Sequence, residues 1–345
     1  MKEPVVRFRR EVYLTRLLDP RRGYCPVEIP SEVRYDPLTG ETGRIAHFLS
    51  DWVPALDLEQ WRSIMQVENC PFCPENAERV TPRFPEELVP GGCLRRGEAI
   101  TFPNLSPYDQ FSAVTVICGA HFPLLDEFSA VQIFDAFRLS LDFLARIQQT
   151  QPRLYPFIGW NYLPPAGSSQ LHPHLQVFAT AEPGNEIRRE LEAEASYRRQ
   201  SGCSFWRDLV EAEKQAGERY LGQIGETEWL VAFRPHGALG EVIALLPEGQ
   251  VLPLISEGAL YDLAQGLTCL FRSMQASHLL SFDAVLYRGL EGTRLRLAPR
   301  FYIHPRLYTS DVNFLKLLCG EPIAVVAPEE LARRLQPVFR QAAGT

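Results

Sequence analysis

The sequence predicts an α+β protein in which one unit, a set of antiparallel strands with a packed helix, occurs twice. Three observations carry that reading. Two amphipathic runs of helical period, SAVQIFDAFRLSLDFLARIQQTQP and SEGALYDLAQGLTCLFRSMQASH, each open on a serine placed to cap a helix. Each run follows a strand-turn-strand pattern and precedes two further strand-like stretches. The two sets superpose at an offset near 126 to 127 residues, with Phe134-Asp135 on Tyr261-Asp262 and LHPHLQV on LAPRFYI.

Taken in order, residues 1–60 read as an N-terminal arm and connecting segment, whose basic stretches RFRR and DPRRGY suit a solvated arm. Residues 61–195 form the first α+β half. There AITFPNLSPYDQFSAVTVICGAHF gives two strands about a turn at Pro107-Tyr108-Asp109; the helix capped by Ser129 follows, and YPFIGWNYLP and LHPHLQVFAT supply two more strands. Residues 196–345 repeat the scheme, with TEWLVAFRPHGALGEVIALLPEG, the second helix, then FDAVLYRGL and RLRLAPRFYIHP. A chain of 345 residues with 46% hydrophobic content buries a sizeable core. Its formal net charge of -7, with no long Lys/Arg block, argues against a nucleic-acid partner. No apolar run approaches a membrane span and the start lacks a signal-peptide core, so a cytoplasmic protein without a membrane partner is expected. The eight cysteines, scattered except for one pair, fit a reducing compartment.

That pair, Cys70 and Cys73 in NCPFCPEN, is a turn, a redox pair or half a metal site. The flanking proline and asparagine look like a knuckle in which two thiolates face one Zn²⁺ at ~2.3 Å. The other ligands must come from afar, and the candidates are His121 in ICGAHFPLL and one histidine of SSQLHPHLQVFAT. In an extended backbone His172, His174 and Gln176 share one face of that last stretch, and Leu171, Pro173, Leu175 and Val177 the other. The preceding NYLPPAGSSQ holds small residues and donors that let a backbone approach phosphate oxygens. A phosphate site and a satisfied pair of core histidines both fit this stretch. At the offset of the duplication His172 meets Ala298 and His174 meets Arg300, which assigns the chemistry to the first half.

Together these motifs resemble the galactose-1-phosphate uridylyltransferase branch of the histidine-triad superfamily. RYDPLTGE at 34–41 is similar to that family's RYNPLTG, CPFC to its zinc knuckle, GAHF to its third zinc ligand and HPHLQ to its signature. Asn161 and Ser169 stand at the family's spacing, 13 and five residues before His174. The resemblance implies a duplicated histidine-triad-like fold and ping-pong nucleotidyl transfer from a nucleotide sugar to a sugar 1-phosphate, or to phosphate, through a nucleotidyl-histidine. It implies His174 as the nucleophile, Gln176 as a donor to a phosphate oxygen, and Asn161, Ser168 and Ser169 as phosphate or ribose contacts. Phe102 and Asn104 match its nucleoside contacts. It further implies Cys70, Cys73, His121 and His172 as ligands of one structural zinc per chain, and a homodimer. The chemistry is consistent: neutral imidazole attacks phosphorus well near pH 7, and a closed Cys₂His₂ site fixes a strand without Lewis-acid work.

The chain also departs from the pattern. Leu105 stands where the uridylyltransferases carry an aspartate, a form more like the related ADP-glucose phosphorylases, and the arginine pair after PLTG is absent from ETGRIAHFLSDW. A second, iron-type site needs histidines where this chain has Ala298 and Arg300; only Glu190 is left, and no second metal is expected. The alternatives are an ADP-glucose phosphorylase-like enzyme, a nucleotide hydrolase of the same superfamily, and a zinc-stabilised nucleotide-binding protein without turnover.

Overall fold

A computed structural model of the chain describes residues 6–46, 57–65, 69–300 and 313–343. The chain opens on a long hairpin, β1 (Arg10–Asp19) and β2 (Cys25–Tyr35), followed by β3 (Thr42–Ala46) and two short helices, α1 (Leu58–Ile64) and α2 (Pro74–Val80). The first half then runs β4 (Leu94–Arg96), β5 (Ala99–Pro103), β6 (Phe111–Val116), α3 (Ala130–Thr150), β7 (Tyr155–Tyr162) and β8 (His174–Thr180). Two helices, α4 (Asn185–Ser201) and α5 (Phe205–Ala216), lead into the second: β9 (Tyr220–Ile224), β10 (Thr227–Val231), β11 (Val242–Leu245), α6 (Glu257–Ala276), β12 (Ser281–Arg288) and β13 (Thr293–Arg300). The last described residues form α7 (Phe314–Cys319), β14 (Ile323–Ala324) and α8 (Pro328–Ala343).

One antiparallel sheet carries both halves, in the order β4-β5-β6-β8-β7-β12-β13-β11-β10-β9. Read outward from the central β7·β12 pair, the two flanks have the same order, so the halves are related by a pseudo-twofold axis through that pair. Asn161 faces Asp283 and Phe157 faces Tyr287, and each pair maps onto the other when β7 is shifted onto β12. Matching details recur in both halves. Ser129 and Ser256 cap α3 and α6 by accepting from the main-chain N–H groups of Gln132 and Ala259. Asp135 of α3 abuts Gly97 in the β4–β5 turn, as Asp262 of α6 abuts Gly225 in the β9–β10 turn; both glycines have positive φ, and a Cβ at either would strike the carboxylate. The rings of Phe134 and Tyr261 meet across the axis at 5.8 Å.

The helices α3 and α6 lie on one face of the sheet over a continuous apolar core that includes Phe143, Leu144, Trp160, Leu175, Leu263 and Phe282. The opposite face is covered at its two ends. Phe72 and Ala77, at the start of the chain's first half, pack on Phe102 and Val114, while α5 packs Phe205 and Leu209 on Leu230 and Ile243. Between these covers the middle of that face stays open.

Two expectations change. The strand expected from Leu171 begins at His174, because Pro173 has no N–H to enter a ladder and biases the residue before it. The register of the duplication shifts in the last strand: β7 falls on β12, so the pair Tyr155·Thr180 falls on Ser281·Arg300, and His174 therefore matches Arg294 and Gln176 matches Arg296. The offset is lost because residues 163–173 join β7 to β8, whereas only residues 289–292 join β12 to β13. The basic N-terminal arm is an exposed hairpin, and the part of RLRLAPRFYIHP after Arg300 lies outside the described residues.

Candidate active site and metal cluster

The CPFC turn is built by its own backbone. Cys73 N–H donates to the Cys70 carbonyl at 3.3 Å, the Asn76 amide donates to the same oxygen at 2.9 Å, and Pro74 starts α2 where no N–H is needed. This turn brings both sulfurs to His121, in the loop after β6, and to His172, just before β8. The four donor atoms lie within 4.8 Å of one another. Cys73 Sγ is 3.5 Å from His121 Nδ1, and His172 Nδ1 is 3.6 Å from Cys73 Sγ and 3.8 Å from Cys70 Sγ. A tetrahedron with bonds of ~2.3 Å to sulfur and ~2.0 Å to nitrogen has edges of about 3.3–3.8 Å, those between sulfur and nitrogen about 3.5 Å. The cluster is thus a Cys₂His₂ donor set able to hold a metal ion. Burial, and then the neighbouring Cys70, push the Cys73 thiol up to about 12, so a cation that binds the thiolate offsets a real cost.

The two histidines of LHPHLQ are oriented by main-chain carbonyls. His172 Nε2 lies 2.7 Å from the Cys118 carbonyl. An oxygen of that kind only accepts, so Nε2 carries the hydrogen and Nδ1 keeps the lone pair that points to the sulfurs. His174 does the reverse: Nδ1 lies 2.8 Å from the His172 carbonyl, which leaves Nε2 as the lone-pair nitrogen. Burial lowers both imidazoles, His172 to about 4. His174 sits edge-on to Phe72 at 5.2 Å, so the cysteine turn also walls one side of this imidazole.

The loop before β8 is tightly folded. Leu163 takes a positive φ of 71°, and its carbonyl accepts from Ala166 N–H at 3.1 Å in a single 3₁₀ turn, Pro164–Ala166. Gly167, also at positive φ, brings the backbone beside the Asn161 amide, 3.6 Å from where a Cβ would stand. Ser168 is buried and donates to the Gln170 carbonyl at 2.7 Å, while Ser169 is exposed. Gln176 and Asn161 both line an open cleft of about 660 Å³ on the middle of the sheet. Phe102 is buried against Phe72 at 5.5 Å, and its strand partner Val114 pairs in turn with Gln176. Asn104 caps a turn by accepting from Ser106 N–H, beside a fully exposed Leu105. Glu190 accepts from Tyr287 at 2.7 Å and from Arg294 at 2.8 Å and pairs with Arg296 at 3.1 Å.

The chain belongs to one family with an uncharacterised protein of Archaeoglobus fulgidus, 31% identical over 340 residues, 97% of this chain and 99% of that one. No protein-family model matches it. Among solved structures it superposes on an ADP-glucose phosphorylase from Arabidopsis thaliana with bound ADP-glucose, with a TM-score of 0.69 at 16% identity over 89% of this chain and 98% of that one. A galactose-1-phosphate-uridylyltransferase-like protein from the same plant gives 0.68 at 17% identity, again over 89% and 98%. A uridylyltransferase gives 0.63 at 19% identity, over 90% and 98%. The fold is that of these ADP-glucose phosphorylase and uridylyltransferase structures. Within this uridylyltransferase-like fold, several cleft residues had no signal in the sequence motifs: Gly159, Phe178, Asp283 and Arg296. Two of them come from the second half and meet the first only through the β7·β12 pairing, which no local pattern encodes. Among the described residues no helix is long and apolar enough to cross a membrane.

Proposed function

We propose that the protein is a nucleotidyltransferase that takes a nucleoside monophosphate from a nucleotide sugar onto His174 and passes it to a sugar 1-phosphate or to phosphate. The observation that carries this reading is the His174 Nδ1 contact to the His172 carbonyl, which holds the ring as a neutral nucleophile with Nε2 available. In the first step the Nε2–P bond forms as the P–O bond to the sugar 1-phosphate breaks, and the leaving group departs with the electron pair. Gln176 donates its amide to a phosphate oxygen as charge shifts, and Asn161 with the Ser168–Ser169 turn holds the phosphates. Phe102 and Asn104 mark the nucleoside end. The acceptor then attacks the phosphorus and restores the imidazole.

Cys70, Cys73, His121 and His172 would hold one zinc ion. Bound there, it supplies rigidity to the start of β8 and no reacting ligand position. A phosphorylase-like variant, with phosphate as acceptor, is favoured by Leu105 and by the bound ADP-glucose in the plant neighbour. A binder without turnover has no use for an oriented, uncharged imidazole. The enzyme would work in the cytoplasm as a homodimer.

The test is a labelled nucleotide sugar without acceptor, offered as UDP-glucose and as ADP-glucose. A covalent adduct, labile to acid and stable to alkali as a phosphoramidate is, should map to His174, and hexose 1-phosphate or phosphate should discharge it. An adduct on another residue ends the mechanism.

A further inference from the structure

Gly159 stands in the middle of β7 with Gln176 beside it on β8 and Val285 beside it on β12. Phe157 and Asn161, two residues to either side, share its face. All five line the cleft, and Gly159 adds no side chain, so the floor there is a bare well. The well is amphipathic. Phe157, stacked at 5.0 Å on Phe178, and Val285 make it apolar below, whereas Asn161 and Gln176 give it polar edges on the His174 side. On the far edge Asp283 pairs opposite Asn161 across β7·β12, about one strand spacing of ~4.8 Å away. Its carboxylate is 35% exposed, lines the cleft, and is held by Arg300 Nη1 at 2.6 Å.

A fixed carboxylate accepts from hydroxyls. A floor with apolar patches and hydrogen-bonding edges matches a pyranose ring, whose faces are C–H and whose rim is hydroxyl. We propose that the well over Gly159 seats the sugar of the nucleotide sugar and that Asp283 accepts a hydrogen bond from a ring hydroxyl, which makes it specificity-determining. The inference rests on the nucleotidyl-transfer reading above and places over Gly159 the sugar ring of its leaving group, the sugar 1-phosphate.

Two donors separate the inference from the reading beneath it. UDP- and ADP-glucose carry the sugar; the 5′-phosphorimidazolides of UMP and AMP carry the same nucleotides without one. With the latter, the Nε2–P bond forms as the P–N bond to imidazole breaks, and the leaving imidazole takes a proton from solvent. Two variants are compared with the wild type. Asp283→Ala removes the acceptor. Gly159→Ala raises the floor of the well, and its Cβ meets only ordinary contacts at 3.9 and 4.0 Å. For each variant, labelling of His174 by the nucleotide sugar should fall about 10- to 100-fold further than labelling by the imidazolide, as loss of a charge-assisted hydrogen bond or of the seat requires. A merely structural Asp283 would lower both donors together, and that result overturns the proposal. Wild-type labelling by the imidazolides but by neither nucleotide sugar overturns it as well, and leaves nucleotidyl transfer standing. No labelling by any donor removes the nucleotidyl-transfer reading and the inference with it.

Discussion

His172 and His174 each give one ring nitrogen to a main-chain carbonyl, but opposite nitrogens, Nε2 to Cys118 and Nδ1 to His172. Two residues of the same type thereby acquire different work, and their substitutions should fail differently. His174→Gly should fold, keep its metal and lose nucleotidyl transfer. His172→Asn should lose metal or thermal stability first. Equal loss of transfer with metal intact in both variants would contradict this division. Cys73→Ser tests the cluster from the other side. The purified wild type should contain about one zinc per chain by elemental analysis, and the variant should lose zinc and melting temperature together. A metal-free protein that melts like the wild type would end the metal assignment. At this scale the sequence was informative because a C-x-x-C turn and an H-x-H-x-Q strand are local: each fixes its own geometry within a few residues. Asp283 and Gly159 carried no such signal, since their meaning depends on which strand lies beside them.

Among the elements, the clearest lesson is the fate of the strand that duplicates β8. The helices and β7/β12 superpose at the offset read from the sequence, but the short β12–β13 connection slides β13 by several residues. As a result Arg294 and Arg296 occupy the positions of His174 and Gln176, and they are spent on structure. They pair with Glu190 and Glu194 of α4 and with Glu241, which closes this end of the sheet face. Apolar periodicity showed the duplication and could not show the slide, because alternation repeats every two residues. A second tie between elements joins β2 to α8. Arg34 holds Glu329 by two contacts, at 2.8 and 2.9 Å, and Arg219 adds a third at 2.7 Å. Burial alone would raise the Glu329 carboxyl, but the Arg34 contacts outweigh it and hold the group at about 2, below its ordinary 4.5. A lowered carboxylate contributes stability that is present above the ordinary value and lost as the pH falls towards the folded one. Wild-type melting temperature should therefore drop between about pH 4.5 and 2 more steeply than that of Glu329→Gln, which starts lower at neutral pH. Parallel curves for the two proteins would show that the tie contributes nothing.

For the whole molecule the open question is what covers the N-terminal hairpin. Its strands pair along their full length, from Arg10·Arg34 to Asp19·Cys25, yet β3 joins β2 only from Ser31 onward. Among the described residues, the outer part of the hairpin is two strands alone, and two strands alone are at best marginally stable in water. It nevertheless presents Val12, Tyr13, Leu14, Leu18 and Tyr24 at half or more of their surface, a grouping that isolated soluble chains seldom leave uncovered. The homodimer proposed for this protein gives those side chains a partner, with the hairpin of one copy laid on the other. Light scattering should then show a dimer at working concentrations, and the mainly apolar contact should keep it associated in high salt, where ion pairs are screened. Leu14→Lys with Leu18→Lys, two positions on one face of β1, should give a monomer whose far-ultraviolet circular dichroism is that of the wild type. Retention of the dimer by this variant would place the interface elsewhere, and a monomeric wild type would remove the homodimer altogether.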